Sequence, residues 1–209
     1  MLAKRDLQRR YAVAAATTFL GILPVSASAQ SVFTDRASAF LFDGVAFPSV
    51  VDTFAVMQTV RYPDRSLGVA IQYLTPLDRS ARLDLYVYPV RSAPGAEDEV
   101  LRAEFDLALR GIAEYATQNP RSFQVISQLQ DSVSIMDTAG QWRSGWRAES
   151  AARERGIEQT SFLYVFIKDG SYFKYRISYA SAIESTMRPR VERFVATTLA
   201  EVSTQRRQQ

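Results

Sequence analysis

Ile157-Glu-Gln-Thr-Ser-Phe-Leu-Tyr-Val-Phe-Ile-Lys168, then Asp169-Gly170, then Ser171-Tyr-Phe-Lys-Tyr-Arg-Ile-Ser-Tyr179, is the stretch that decides the fold. Leu163, Val165 and Ile167 alternate with Phe162, Tyr164 and Phe166, so the first segment is apolar on both faces of a strand and belongs inside a sheet. Asp-Gly between two such runs is a two-residue hairpin turn, because both turn positions need positive φ. In the returning segment Lys174, Arg176 and Ser178 share one face, opposite Phe173, Tyr175, Ile177 and Tyr179.

Further strands precede this hairpin, near 123–136 and 142–150. An earlier set covers 54–61, 68–74 and 81–90, punctuated by Tyr62-Pro63-Asp64-Arg65 and by the turn at 76–80. In the third of these, Leu83, Leu85 and Val87 face one way, and Arg82, Asp84, Tyr86 and Tyr88 the other. Between the two sets, Pro94-Gly95 ends the first and Glu97, Asp98 and Glu99 mark a helix N-terminus, where negative charge is favoured. Leu101, Phe105, Ala108, Ile112 and Tyr115 form its stripe, and Asn119-Pro120 stops it. Glu104 and Glu114 read as its wet face. A second helix spans 183–202, with Pro189 near its start and Val191, Val195, Leu199 and Val202 as its stripe.

The expected fold is α+β: one largely antiparallel sheet in two meanders, βββ-α-ββββ-α, with the helices packed on it. Residues 51–203 form the domain, 30–50 a lead-in of short helix or extended arm, and 204–209 a disordered tail.

The first 29 residues carry Lys4, Arg5, Arg9 and Arg10, then an apolar run from Tyr11 to Leu23, then Pro24 and Ala27-Ser28-Ala29. That order is a cleavable secretory signal, and the apolar run is well short of the roughly 20 residues that span a bilayer. The expectation is a periplasmic protein processed before Gln30, with no transmembrane segment after processing. Arg9-Arg10 leaves the twin-arginine and the general route both open. The 209-residue chain has 25 Lys+Arg and 22 Asp+Glu. Removing four basic groups and Asp6 with the signal leaves 21 against 21, so the remainder has no basic footprint for nucleic acid.

There is no His and no Cys. That removes Ser-His-Asp and Cys-His catalysis, His- or Cys-ligated metals and disulfides. No cofactor or metal is expected. Only Lys168 and Lys174 follow Lys4, and every other cation is Arg, which reads as compositional bias. Ser171-Tyr-Phe-Lys174 matches S-x-x-K, but on a strand the first and fourth residues point to opposite faces, so the serine-lysine chemistry is not available.

Arg143 and Arg147 share one face of their strand and Trp142 and Trp146 the other. If Arg143 and Arg147 fall on the same sheet face as Lys174 and Arg176, the four make a basic strip for an acidic partner; the bland alternative is a solvated face paired with acids such as Glu149 and Glu158. Trp142 and Trp146 are either core or a contact platform.

The order of elements resembles the PsbP-like sandwich, which includes the DcrB-like periplasmic lipoproteins. The resemblance rests on Gly68-Val-Ala-Ile-Gln-Tyr73, Leu83-Asp-Leu-Tyr-Val-Tyr-Pro89, Asp169-Gly-Ser-Tyr-Phe173 and the closing helix from Val191 to Val202, and spans about residues 50 to 203. It implies a non-catalytic accessory or assembly role; no site residue carries over. The functional expectation is an exported binding protein acting on an envelope protein, glycan or lipid. The alternatives are a carrier of a small apolar or lipid ligand and a cofactor-free carboxylate hydrolase.

Overall fold

The computed structural model describes residues 39–90 and 96–204. The expected signal, the break expected at Pro94-Gly95 and residues 205–209 of the expected tail lie outside them.

The first meander is β4 (Phe54–Arg61), β5 (Val69–Thr75) and β6 (Asp78–Pro89); the second is β7 (Phe123–Met136), β8 (Trp142–Glu154), β9 (Ile157–Lys168) and β10 (Ser171–Ala180). Helix α1 (Glu97–Gln118) connects them and α2 (Glu184–Glu201) follows. With the two-residue β3 (Val50–Val51), the strands form one antiparallel sheet in the order β3-β4-β5-β6-β10-β9-β8-β7. The meanders meet where β6 pairs with β10, Asp84 opposite Arg176 and Tyr86 opposite Lys174.

Alternation decides what each face buries. Leu83, Leu85 and Val87 lie with Phe162, Tyr164, Phe166, Phe173 and Tyr175 under Val191, Phe194, Val195 and Leu199 of α2. Tyr86, Tyr88, Leu163, Val165 and Tyr172 lie under Leu101, Phe105 and Ala108 of α1. β9 is thus covered on both faces, as its two apolar sets require. Asp169 and Gly170 take φ of 52° and 73°, the left-handed pair that a tight hairpin demands.

Three local features differ from the sequence expectation. The lead-in contributes β1 (Ala39–Phe42) and β2 (Val45–Pro48), which with β11 (Ser203–Thr204) make a second, three-stranded sheet. Residues 203–204 are therefore paired with β2. β8 runs on to Glu154, because Arg155-Gly156 (φ 50° and 84°) is a second two-residue turn that pairs Glu154 with Ile157. Pro189 lies in the second turn of α2; the C=O of Ser185, which loses its helical donor, belongs to an exposed residue.

Candidate functional site

The turns fix which side chains share a face. Arg147 lies opposite Tyr164 in β9, and Tyr164 opposite Tyr175 in β10, so Arg147 and Tyr175 share the α2 face. Lys174 and Arg176 are out of phase with Tyr175 and face α1. The four cations do not form a strip: Arg143 and Arg147 lie on one side of the sheet, Lys174 and Arg176 on the other.

The contacts of three of them are specific. Arg147 makes a bidentate pair with Asp131 of β7, Nε at 3.0 Å and Nη2 at 2.6 Å. Arg143 donates from Nε to Asp137 Oδ2 at 3.0 Å and from Nη2 to Gln141. Lys174 sits 3.5 Å from Glu104 of α1 and over the rings of Tyr86 and Tyr88, at 5.3 and 4.9 Å. Burial pushes its ammonium pKa down against the pull of Glu104. Glu104 is thus on the buried side of α1, not its wet face, and it also accepts from the Tyr88 hydroxyl at 2.5 Å. Arg176 is buried between Lys174 and the open end of the sheet.

Lys168 also has a structural role. Its Nζ donates to the carbonyls of Leu199, Ala200 and Val202 at 2.6, 3.2 and 2.8 Å. The last turn of α2 has no basic residue of its own; a strand supplies the charge that a helix C-terminus attracts. The two lysines are thus each placed for a specific contact with a helix.

The tryptophans part company. Trp146 packs under α1, 5.9 Å from Phe105, with Arg102 stacked over it at 4.2 Å. Trp142 is 68% exposed, and its cross-strand partner Met136 is exposed beside it. Gly145 lies between them on the other face because a Cβ there would come within 2.4 Å of the Phe166 ring.

This hairpin carries the largest concentration of exposed apolar side chains among the described residues. Ile126, Leu129 (64% exposed), Met136 and Trp142 are four of the eight large hydrophobics left in solvent among the described residues. Among the described residues β7 pairs only with β8, and no strand lies on its other edge. Edge strands are normally blunted by charge, proline or brevity. The opposite edge, β3, is two residues long. β7 is 14 residues long, and its one charged side chain, Asp131, is held by Arg147. A bulge between Val125 and Ser127 interrupts its beginning only.

The hairpin tip is held by Asp137, whose Oδ1 accepts from the N–H of Ala139 at 3.0 Å and of Gln141 at 2.9 Å. Burial pushes the Asp137 carboxyl up, but the Gln141 N–H, Arg143 and the Ala139 N–H outweigh it and hold it below its ordinary value of 3.8. Its contribution to stability is present above that value and is lost as the pH falls through the lower folded value. Asp137→Asn is therefore expected to be less stable at pH 7 and to lose less on acidification below about pH 4; urea titrations at the two pH values check this.

Outside this hairpin, an open cavity of about 390 Å³ lies on the α1 face at the uncovered end of β5, β6 and β10. Charged and amide groups from Arg82, Asp84, Gln159 and Arg176 line it, which does not suit a purely apolar or lipid ligand. Among the described residues no group of His, Cys, Asp and Glu gathers as metal ligands would, and no helix is long and apolar enough to cross a membrane.

No known family matches the sequence, and no curated protein does. Among solved structures, the chain is similar to cyanobacterial PsbP (CyanoP) from Synechocystis sp. PCC 6803, with 14% identity and a TM-score of 0.48 over 88% of this chain and 99% of that one. It is also similar to LpqN of Mycobacterium tuberculosis, described as involved in cell envelope biogenesis, with 13% identity and a TM-score of 0.44 over 82% and 87%. A Pseudomonas aeruginosa protein of unknown function follows at 8% and 0.37, over 78% and 96%. The first of these belongs to the family that the sequence resembles. At these scores the likeness carries no functional argument.

Proposed function

We propose that the chain is an exported, non-catalytic binding protein of the cell envelope that takes up an extended segment of a partner protein along the open edge of β7. The observation that carries this reading is that edge: a long strand with no neighbour on its outer side among the described residues, its one charge held by Arg147, Leu129 and Met136 exposed on it and Trp142 exposed beside Met136. Strand addition uses such an edge for affinity and the flanking side chains for specificity. The charged, apolar and small-residue order of residues 1–29 supports export, with processing before Gln30.

A photo-crosslinking residue at Leu129 or at Trp142, in cells expressing the full chain, is expected to capture one discrete envelope protein, and N-terminal sequencing of the captured chain to begin at Gln30. The same residue at Glu192, exposed on α2, serves as control. Trp142→Ala is expected to weaken capture roughly tenfold without unfolding the protein. Equal capture from Glu192, or crosslinks solely between two copies of the chain, would overturn the reading.

A second reading, a cofactor-free hydrolase, draws on Asp84 and Glu154, which line the same cavity. Burial raises the Asp84 carboxyl against the pull of Arg82 and Arg176, as a general acid requires. Ester or glycoside turnover by the wild type, abolished in both Asp84→Asn and Glu154→Gln, is the result that would favour it.

A further inference from the structure

The hairpin tip fixes which backbone groups of β7 point outward. The Asp137 N–H donates to the Gln141 carbonyl at 2.9 Å, so these two residues form a hydrogen-bonded pair. From there back to Ser127 the register of β7 against β8 is unbroken. Hydrogen-bonded and non-hydrogen-bonded pairs alternate along an antiparallel ladder. Ile135, Val133, Asp131 and Leu129 therefore turn their N–H and C=O toward β8. Those of Met136, Ser134, Ser132, Gln130 and Gln128 turn to the outer edge, where no strand of the described residues lies.

The same parity sorts the side chains. Leu129, Asp131, Val133 and Ile135 stand opposite Glu149, Arg147, Gly145 and Arg143, on the α2 face. Val133 and Ile135 are half-buried against the core under α2, and Leu129 is exposed. Among the described residues that apolar layer ends at this edge. The α1 face of the strand is different: Gln128, Gln130, Ser132 and Ser134 are polar, uncharged and exposed. Toward an added strand, the α2-face residues form the non-hydrogen-bonded pairs, in which side chains stand closest. The apolar side of the edge is thus also the side that discriminates most.

Charge gives the second clue. Asp131 is the one charged side chain of β7, and it is 40% exposed even with Arg147 upon it. Beside it on the α2 face, Glu149 and Glu184 share the single Arg188. Asp131, Glu149 and Glu184 against Arg147 and Arg188 make three acids to two bases, while Asp137 and Arg143 at the tip balance each other. The field along the edge is negative. A second copy of β7 would bring another Asp131 and no cation, so it does not fit.

We propose that the segment taken up at this edge is a basic amphipathic strand, with apolar side chains at alternate positions against Leu129, Val133 and Ile135, a lysine or arginine in that same series beside Asp131, and small uncharged residues between. It runs antiparallel to β7, the pairing of the rest of the sheet and the more stable one per residue. This inference rests on the edge reading of β7 and names what that edge selects.

The test uses the purified protein and three synthetic peptides of about nine residues, enough to lie opposite 128–136. The first is Ser-Val-Thr-Val-Thr-Lys-Thr-Val-Ser. The second has Glu in place of Lys. The third, Val-Val-Val-Thr-Thr-Thr-Lys-Ser-Ser, keeps the composition of the first and loses the alternation. The lysine peptide is expected to bind saturably below about 1 mM. It is expected to slow hydrogen exchange at the amides of Gln128, Gln130, Ser132, Ser134 and Met136 far more than at Leu129 and Val133. The glutamate and block peptides are expected to bind at least tenfold more weakly. Asp131→Asn is expected to erase or reverse the preference for lysine over glutamate. Ser132→Pro removes one outward N–H at a position that an edge strand tolerates. It is expected to stay folded and to weaken the lysine peptide at least tenfold; should it unfold, the exchange pattern still decides.

Equal binding of the block and alternating peptides, or of the glutamate and lysine peptides, overturns the inference; if the outward amides are protected all the same, the edge reading stands. Protection confined to other amides, or unchanged binding in a folded Ser132→Pro, overturns both. So does protection of the outward amides before any peptide is added, which would show the edge held by a second copy or by another segment of this chain. No saturable binding of any peptide overturns the inference alone, and the crosslinks at Leu129 and Trp142 then decide the edge reading by themselves.

Discussion

Lys174→Met is expected to destabilise the protein by about 3 kcal/mol, the usual consequence of removing one member of a buried ion pair. The side chains of Lys174 and Glu104 are 13% and 12% exposed, so neither charge can fall back on bulk water. With the ammonium gone, the Glu104 carboxylate keeps the Tyr88 hydroxyl but is left among tyrosine rings without its ion-pair partner. Glu104→Gln in the same chain keeps an acceptor for Tyr88 and removes the stranded charge. The double variant is therefore expected to recover to within about 1 kcal/mol of the wild type, since buried pairs contribute little net stability once both charges are gone. Urea midpoints of the four members of this cycle give the answer. A cost below about 1 kcal/mol for the single variant would mean that the pair is solvated. Lys174→Glu would set two carboxylates against each other and is expected to unfold the protein. Loss of partner binding in that variant would thus report on the fold.

Lys168→Met is expected to cost about 2–3 kcal/mol, because three carbonyls lose their donor at once and buried acceptors without partners cost about 1–3 kcal/mol each, offset here by water reaching the outermost. Lys168→Arg is expected to fare little better. Three carbonyls at the end of a helix surround a compact ammonium with three rotatable donors, and a planar guanidinium cannot reproduce that geometry. The loss is expected to be local as well as global. Hydrogen exchange in the last turn of α2 and in β11 should speed up more than in β9 or β10. Uniform acceleration across the sheet would instead show that Lys168 acts on the whole core and not through the helix end.

Much of this molecule was legible in the sequence, for reasons that can be named. The two apolar sets of β9, the Asp169-Gly170 turn and the stripe of α1 are local patterns, and each element formed where its pattern lay. The misread basic strip came from a local signal that was passed over. Arg155-Gly156 is a two-residue turn of the same kind as Asp169-Gly170, and together the two turns fix Arg147 opposite Tyr164 and Tyr164 opposite Tyr175. Ending the strand at residue 150 hid that parity and left the faces undetermined. The cavity lay beyond local reading. Its floor is assembled across the β6–β10 seam, where Asp84 meets Arg176, and no turn connects those strands. The faces of both were assigned correctly, but nothing nearby in the chain says that they adjoin. The jobs of the two lysines were hidden for the same reason, since each meets a helix distant in sequence.

The small sheet has a topological consequence. β2, close to the start of the described chain, is hydrogen-bonded to β11 at its end, with Val45 opposite Thr204 and Ala46 opposite Ser203. The backbone therefore closes on itself like a ring with a clasp. Joining its ends and opening it elsewhere, at the connection between β6 and α1 for instance, would reorder the sequence while asking no strand to change its neighbour. β1 and β11 both run antiparallel to β2 and so parallel to each other, with Ala39 opposite Pro48 and Thr204 opposite Val45. Anything attached before β1 and anything attached after β11 would therefore leave from opposite ends of the clasp, and tension between the two would shear this small sheet along its strands.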